Sequence, residues 1–184
     1  MAQLQVGDLV FLAIDNPLYR RVAAVSQSWT SHVGVVVAAE PGKELVAEST
    51  FPVSKKTAYP DFIARSKAGQ YSVKRLTRTL TESEKQNIQK EADLRMGIFY
   101  HIGFKFDSKM QFCSKFAYEI YRQATGLEIG TLETFKTLLS KNETTPLMFW
   151  YLWYTGFIPW KRKTVTPASL YNSELFETVE EYIL

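Results

Sequence analysis

The rhythm of apolar and polar residues changes about halfway along this 184-residue chain. The first part carries short β-branched runs bounded by turn residues, and the second carries helical periodicity. "GDLVFLAI" (7–14) predicts a strand opened by a Gly-Asp turn, and "HVGVVVAA" (32–39) predicts another, approached through "SQSWTS". "EPGKE" then leads into "LVAEST" (45–50), so two β-rich runs flank a Pro-Gly turn and predict a hairpin. "QYSVKRL" (70–76) alternates in polarity and reads as a further strand. "TESEKQNIQKEADLRMG" (81–97) predicts a helix, with Thr81 and Glu84 at capping-box spacing and Gly97 suited to its stop. A second helix is predicted within "KMQFCSKFAYEIYRQAT" (109–125). Its stripe of Cys113, Phe116, Ala117, Ile120, Tyr121 and Ala124 follows i, i+3, i+4, i+7 spacing. "TLETFKTLLS" (131–140) reads as a third helix with Leu132, Phe135, Leu138 and Leu139 on one side, and "SELFETVEEYIL" (173–184) as a short fourth. Strands first and helices after favour an α+β fold over alternating βαβ units, with residues 1–184 as a single domain.

Composition removes several function classes. A net charge of +3, evenly spread, does not describe a nucleic-acid protein, and the basic run at 161–163 reads as solvated. One cysteine cannot form an internal disulfide, so this is no stapled scaffold. Two histidines and one cysteine, far apart, lack zinc-ligand spacing, and no glycine-rich phosphate loop occurs; neither metal nor cofactor is expected. The start lacks a basic segment followed by a long apolar one, so the chain is expected to be cytoplasmic as synthesised, with signal-independent export open. "LMFWYLWYTGFIPW" (147–160) is shorter than the ~20 apolar residues a bilayer span takes, and stable membrane insertion is not expected. Pro146, Gly156 and Pro159 break that aromatic block into short pieces, which favours core or groove wall over an interfacial surface. Oligomeric state is not specified by these features.

Cys113 has two readings. Cysteine is often simply buried, and this one lies on an apolar stripe. Yet it also opens its helix, where free N–H groups and the macrodipole favour a thiolate, and the stripe must pack on the sheet. His32 opens one predicted strand and shares a face with Gly34 and Val36, the glycine leaving room beside the imidazole. A histidine base works best with a third polar group to orient it. With the turn centred on Pro41-Gly42, Glu48 falls within a diagonal step of His32 across the hairpin; a solvated strand residue is its other reading. His101, twelve residues before Cys113, is a second candidate base, and Asp8 reads chiefly as a turn former.

The ordered set "GDLVF", "SHVG", "ELVAES", "YHIGFKF", "QFCSKF", "ETF" and "IPWKRKTVTPASL" resembles the permuted papain-like proteins of the YaeF/YiiX group, and within it the YebB branch. These are relatives of the NlpC-type cell-wall peptidases and of lecithin:retinol acyltransferase. The resemblance implies a small antiparallel sheet or half-barrel with a nucleophile-bearing helix packed on it. It implies Cys113 as nucleophile, His32 as base and Glu48 as the residue that orients the base. Cell-wall relatives usually carry an aspartate just before the cysteine, where this chain has Phe112. Tyr100 would line the substrate groove, as a tyrosine does in those relatives, or pack against the core.

Such a set could attack an amide or ester carbonyl, with the Cys113 backbone N–H and the Gln111 side chain as candidate oxyanion donors. The leading expectation is a cysteine amidase or peptidase acting on a small peptide, amide or acyl substrate, cell-wall peptides among them. The alternatives are a thiol acyltransferase or lipase-like enzyme, a non-catalytic binding module, and a secreted interbacterial effector of the same fold.

Overall fold

In the computed structural model, which describes residues 3–141 and 147–183, the first predicted strand becomes β1 (Leu9–Ile14). A helix that the hydrophobic pattern does not announce follows, α1 (Pro17–Val25). Asn16 caps it by accepting the Leu18 N–H at 2.9 Å, and Pro17 opens its first turn. The predicted hairpin forms as β2 (His32–Ala38) and β3 (Leu45–Glu48), continued by β4 (Lys55–Ala58), α2 (Tyr59–Ile63) and the long β5 (Ser66–Leu76). Then come α3 (Glu82–Asp93), α4 (Cys113–Thr125), β6 (Glu133–Thr134), α5 (Phe135–Ser140) and α6 (Leu147–Trp153). β7 (Lys163–Thr164), α7 (Pro167–Tyr171) and β8 (Phe176–Tyr182) complete the order.

Six strands make one antiparallel sheet in the order β4-β3-β2-β1-β5-β8, and β6 pairs with β7 apart from it. β1 and β2 are buried on both faces, which explains why "HVGVVV" runs apolar without interruption. One face, with Leu9, Phe11, Val33, Val35 and Val37, packs against the α4 stripe. The other, with Val10, Leu12, Val36 and Val46, is covered by Phe62 of α2. All six predicted stripe residues of α4 are buried. Gly126, at φ 76°, ends the helix in the left-handed conformation, its N–H bonded to the Arg122 carbonyl.

Several expectations are corrected. The tail predicted as a fourth helix is the edge strand β8: the open side of β5 pairs it from Tyr71↔Tyr182 to Leu76↔Phe176, and this pairing outweighs local helix propensity. Leu184 lies outside the described residues. The capping box of Thr81 and Glu84 forms, but α3 ends at Asp93, and Gly97 (φ 72°) belongs to the turn beyond it. The third predicted helix begins at Phe135 with Thr134 as its N-cap, so Leu132 is exposed in a loop and not on a helix face. In the aromatic block Trp150 is buried, and Phe149, Trp153, Tyr154 and Trp160 are partly so, whereas Tyr151 and Phe157 are exposed. Pro146, one of its predicted breakers, lies outside the described residues.

Candidate active site

Cys113 is the first residue of α4. Phe112, its N-cap, offers no side-chain hydrogen bond, so no side chain occupies the first-turn amides. The thiol is buried and lines a narrow cavity of about 20 Å³ together with Ser31, Tyr19, Tyr100, Phe135 and Trp150.

His32 is the first residue of β2. Strand alternation puts it with Gly34 and Val36 on the face that α2 covers, while α4 lies on the opposite face. At the strand's end its ring nevertheless meets both layers. It sits between Phe62 and Tyr19, at centroid distances of 5.7 and 5.8 Å, and it interacts with the Cys113 thiol. The β2–β3 register, Val36↔Val46 and Val35↔Ala47, sets Glu48 opposite Gly34 and diagonal to His32. From there Glu48 Oε2 accepts a hydrogen bond from His32 Nε2 at 2.7 Å, both groups being wholly buried. With Nε2–H committed to the carboxylate, the neutral ring carries its lone pair at Nδ1. Nδ1 has no partner in regular hydrogen-bond geometry, so its approach to the thiol is looser than a closed hydrogen bond. The space expected beside the ring at Gly34 is taken. A Cβ there would stand 2.4 Å from Val46 Cγ1 and 3.0 Å from the Phe62 ring.

Burial alone would lower the His32 pKa. Polar contact with Cys113 and the hydrogen bond to Glu48, together with the charges of both, outweigh it and lift the value to about 9. Burial would raise Glu48, but His32, the Thr57 hydroxyl and Arg65 hold it at about 2. Thr57 Oγ1 donates to Glu48 Oε1 at 2.6 Å, and Arg65 Nη2 reaches the two carboxylate oxygens at 2.8 and 2.7 Å. The carboxylate is thereby saturated with donors and fixed in orientation. The Tyr100 phenol is pushed well above its ordinary value by burial first, then by the charge of Cys113 and by interaction with Tyr19. Tyr19 is raised to about 12 by burial and by Cys113. Two neutral phenols therefore stand beside the thiol.

The other sequence candidates lie elsewhere. Gln111 is buried, but its side-chain Nε2 donates to Glu119 at 3.0 Å, and it does not line the cavity. Its backbone instead bridges Tyr100 and so holds that residue in place. His101 Nδ1 accepts the Gly103 N–H at 2.9 Å within a loop turn. Asp8 shapes the turn before β1, accepting from Gln5 N and pairing with Arg75. Sequence reading missed Tyr19, Phe62, Thr57 and Arg65. The Asn-Pro cap signal at Asn16 and Pro17 could have announced the helix that carries Tyr19. The other three reach Glu48 or His32 only through β4, α2 and the start of β5, which no local pattern ties to the hairpin.

A cysteine opening a helix, set against a histidine on an earlier strand of an antiparallel sheet, is the papain-like arrangement with the histidine first in the chain. The chain belongs to the permuted papain-like amidase family of YaeF and YiiX, family C92, whose model matches residues 3–180. It is 25% identical over 178 residues to the uncharacterized protein YiiX of Escherichia coli K12, covering 96% of this chain and 86% of that one. It also superposes on the crystal structure of metalloprotein yiiX from Escherichia coli O157:H7, with a TM-score of 0.88, 22% identity and full coverage of both chains. Among the described residues of this chain no three His, Cys, Asp or Glu side chains converge so as to hold a metal ion. No described helix is long and apolar enough to cross a membrane.

Proposed function

We propose that this chain is a cysteine amidase in which Cys113 attacks an amide carbonyl, His32 moves the proton and Glu48 orients His32. The observation that carries the reading is the buried His32–Glu48 hydrogen bond of 2.7 Å, beside a thiol at an uncapped helix start. In this scheme the thiolate adds to the carbonyl carbon, and the Cys113 N–H faces the developing oxyanion. The C–N bond then breaks as His32 gives its proton to the leaving amine. Water, deprotonated by His32, attacks the thioester, releases the acid and restores the thiol. No step is routed through a metal. Short peptides, those of the bacterial cell wall among them, are the proposed substrates. A second reading, acyl transfer or lipid hydrolysis, is favoured by the cavity itself, whose wall includes Val22, Phe112, Phe135, Leu138 and Trp150. Such a surface offers an acyl chain more than it offers a polar peptide.

A panel of short peptides, simple amides and acyl esters tests both. Cys113→Ala and His32→Ala should each abolish turnover while the protein stays folded. Glu48→Gln should lower turnover by about tenfold or more, because a charged hydrogen bond to the base is lost. Release of amine from peptides supports the amidase, and preference for long-chain acyl donors supports the second reading. Full activity of Cys113→Ala would end both.

A further inference from the structure

α6 has no polar face. Its seven residues, LMFWYLW, carry no charged side chain and a single hydroxyl. A helix apolar on all sides belongs in a core or against another apolar phase. Yet Trp150 is its only buried residue, with Phe149 and Trp153 packed in part. Met148 is 69% exposed and Leu152 73%, with Leu147 and Tyr151 open beside them. The turn after the helix, in which the Gly156 N–H bonds the Tyr151 carbonyl, returns Phe157 to the helix end with 76% of its surface exposed. The Trp153 indole donates to the Ile102 carbonyl and adds a half-exposed isoleucine. A contiguous apolar set of this kind marks an interaction surface.

The charge along this segment has one sign. Residues 147–163 contain no Asp or Glu and end in Lys161, Arg162 and Lys163. Phe157 and Lys161 line one shallow depression. From α1, Arg21 lies over the Phe149 ring at 5.2 Å, while its neighbour Arg20 is paired with Asp15. We propose that this surface docks peripherally on an anionic bilayer, with Met148, Leu152 and Phe157 at the headgroup–acyl boundary and the flanking cations at lipid phosphates. A second copy fits less well, because a symmetric contact through this patch would bring the same cations of both chains together. An anionic bilayer satisfies the apolar and the basic residues at once. Trp150, on the inner side of the same helix, lines the Cys113 cavity, so docking would seat that cavity close to the lipid. The inference holds whatever chemistry Cys113 performs.

The full-length protein is sedimented with phosphatidylcholine vesicles and with vesicles that also contain phosphatidylglycerol. Binding is expected to the anionic vesicles and to weaken as salt is raised. The double variants Leu152→Glu/Phe157→Glu and Lys161→Glu/Lys163→Glu should each weaken it by about tenfold or more, with melting temperatures unchanged because these side chains are exposed. If the first variant were to misfold, the second still reads the surface. Failure of the wild type to sediment with anionic vesicles overturns the proposal, as does undiminished binding by both variants. A dimer in solution that Leu152→Glu/Phe157→Glu splits would assign the patch to a second copy and overturn it as well.

Discussion

His32 holds its proton across the neutral range because its neighbours reward the charged form more than burial penalises it. Cys113 is the first of those neighbours; Glu48 accepts from Nε2, while Arg65 and Thr57 keep that carboxylate ionised and immobile. In the proposed cycle the imidazolium supplies the proton that the leaving amine takes. The rate of acylation should therefore fall as pH rises through about 9, the value to which His32 is lifted. Glu48, held at about 2, should impose no limb near neutrality. A kcat/KM profile whose alkaline limb falls near the ordinary 6.5 of histidine would remove this account of the proton.

At the scale of elements, the site depends on how tightly α2 closes over the hairpin. Phe62 packs across Gly34 and against the His32 ring, so one residue couples the strand backbone to the imidazole. Gly34→Ala would place a methyl 2.4 Å from Val46 Cγ1 and 3.0 Å from Phe62, inside a fully packed layer. Overpacking of this kind costs about 1–3 kcal/mol. The expected result is a lower melting temperature, together with a loss of turnover as Phe62 shifts from the ring. An unchanged melting temperature would mean that α2 yields freely and does not clamp the base.

For the whole molecule, the buried His32–Glu48 pair makes stability depend on pH from both sides. His32 is raised from 6.5 to about 9, so its contribution is complete below about 6.5 and is lost as pH climbs through about 9. Glu48 is lowered from 4.5 to about 2, so its contribution is complete above about 4.5 and is lost as pH falls through about 2. The two shifts share the His32–Glu48 contact, which counts once; Cys113 adds to the first, and Thr57 and Arg65 add to the second. Thermal unfolding should show greatest stability between about 4.5 and 6.5 as far as this pair is concerned. His32→Gln combined with Glu48→Gln should flatten both limbs. A wild-type curve level from about 6.5 through about 9 would show that the pair is not coupled to folding.

What the sequence determined by itself lies in segments whose signals are short-range. The stripe of α4, the capping box of α3 and the Pro-Gly hairpin are all written in a few adjacent residues. Because the turn sets the strand register, Glu48 could be located diagonal to His32 before any tertiary contact was known. The order of histidine before cysteine was equally legible. Tertiary structure alone decided the rest. β8 is a strand because β5 had an open edge to offer, not because "FETVEEY" prefers extension. Arg65 and Thr57 reach Glu48, and Tyr19 reaches the thiol's surroundings, only once β4, α2, β5 and α1 have closed around the hairpin. The aromatic block followed the same rule. Its chain breakers favoured a buried wall over a surface, yet packing turned Trp150 inward and left Leu152 and Phe157 outside. Local patterns encode period, caps and turns, whereas partnership between distant segments depends on which edges and faces remain uncovered after the chain has folded.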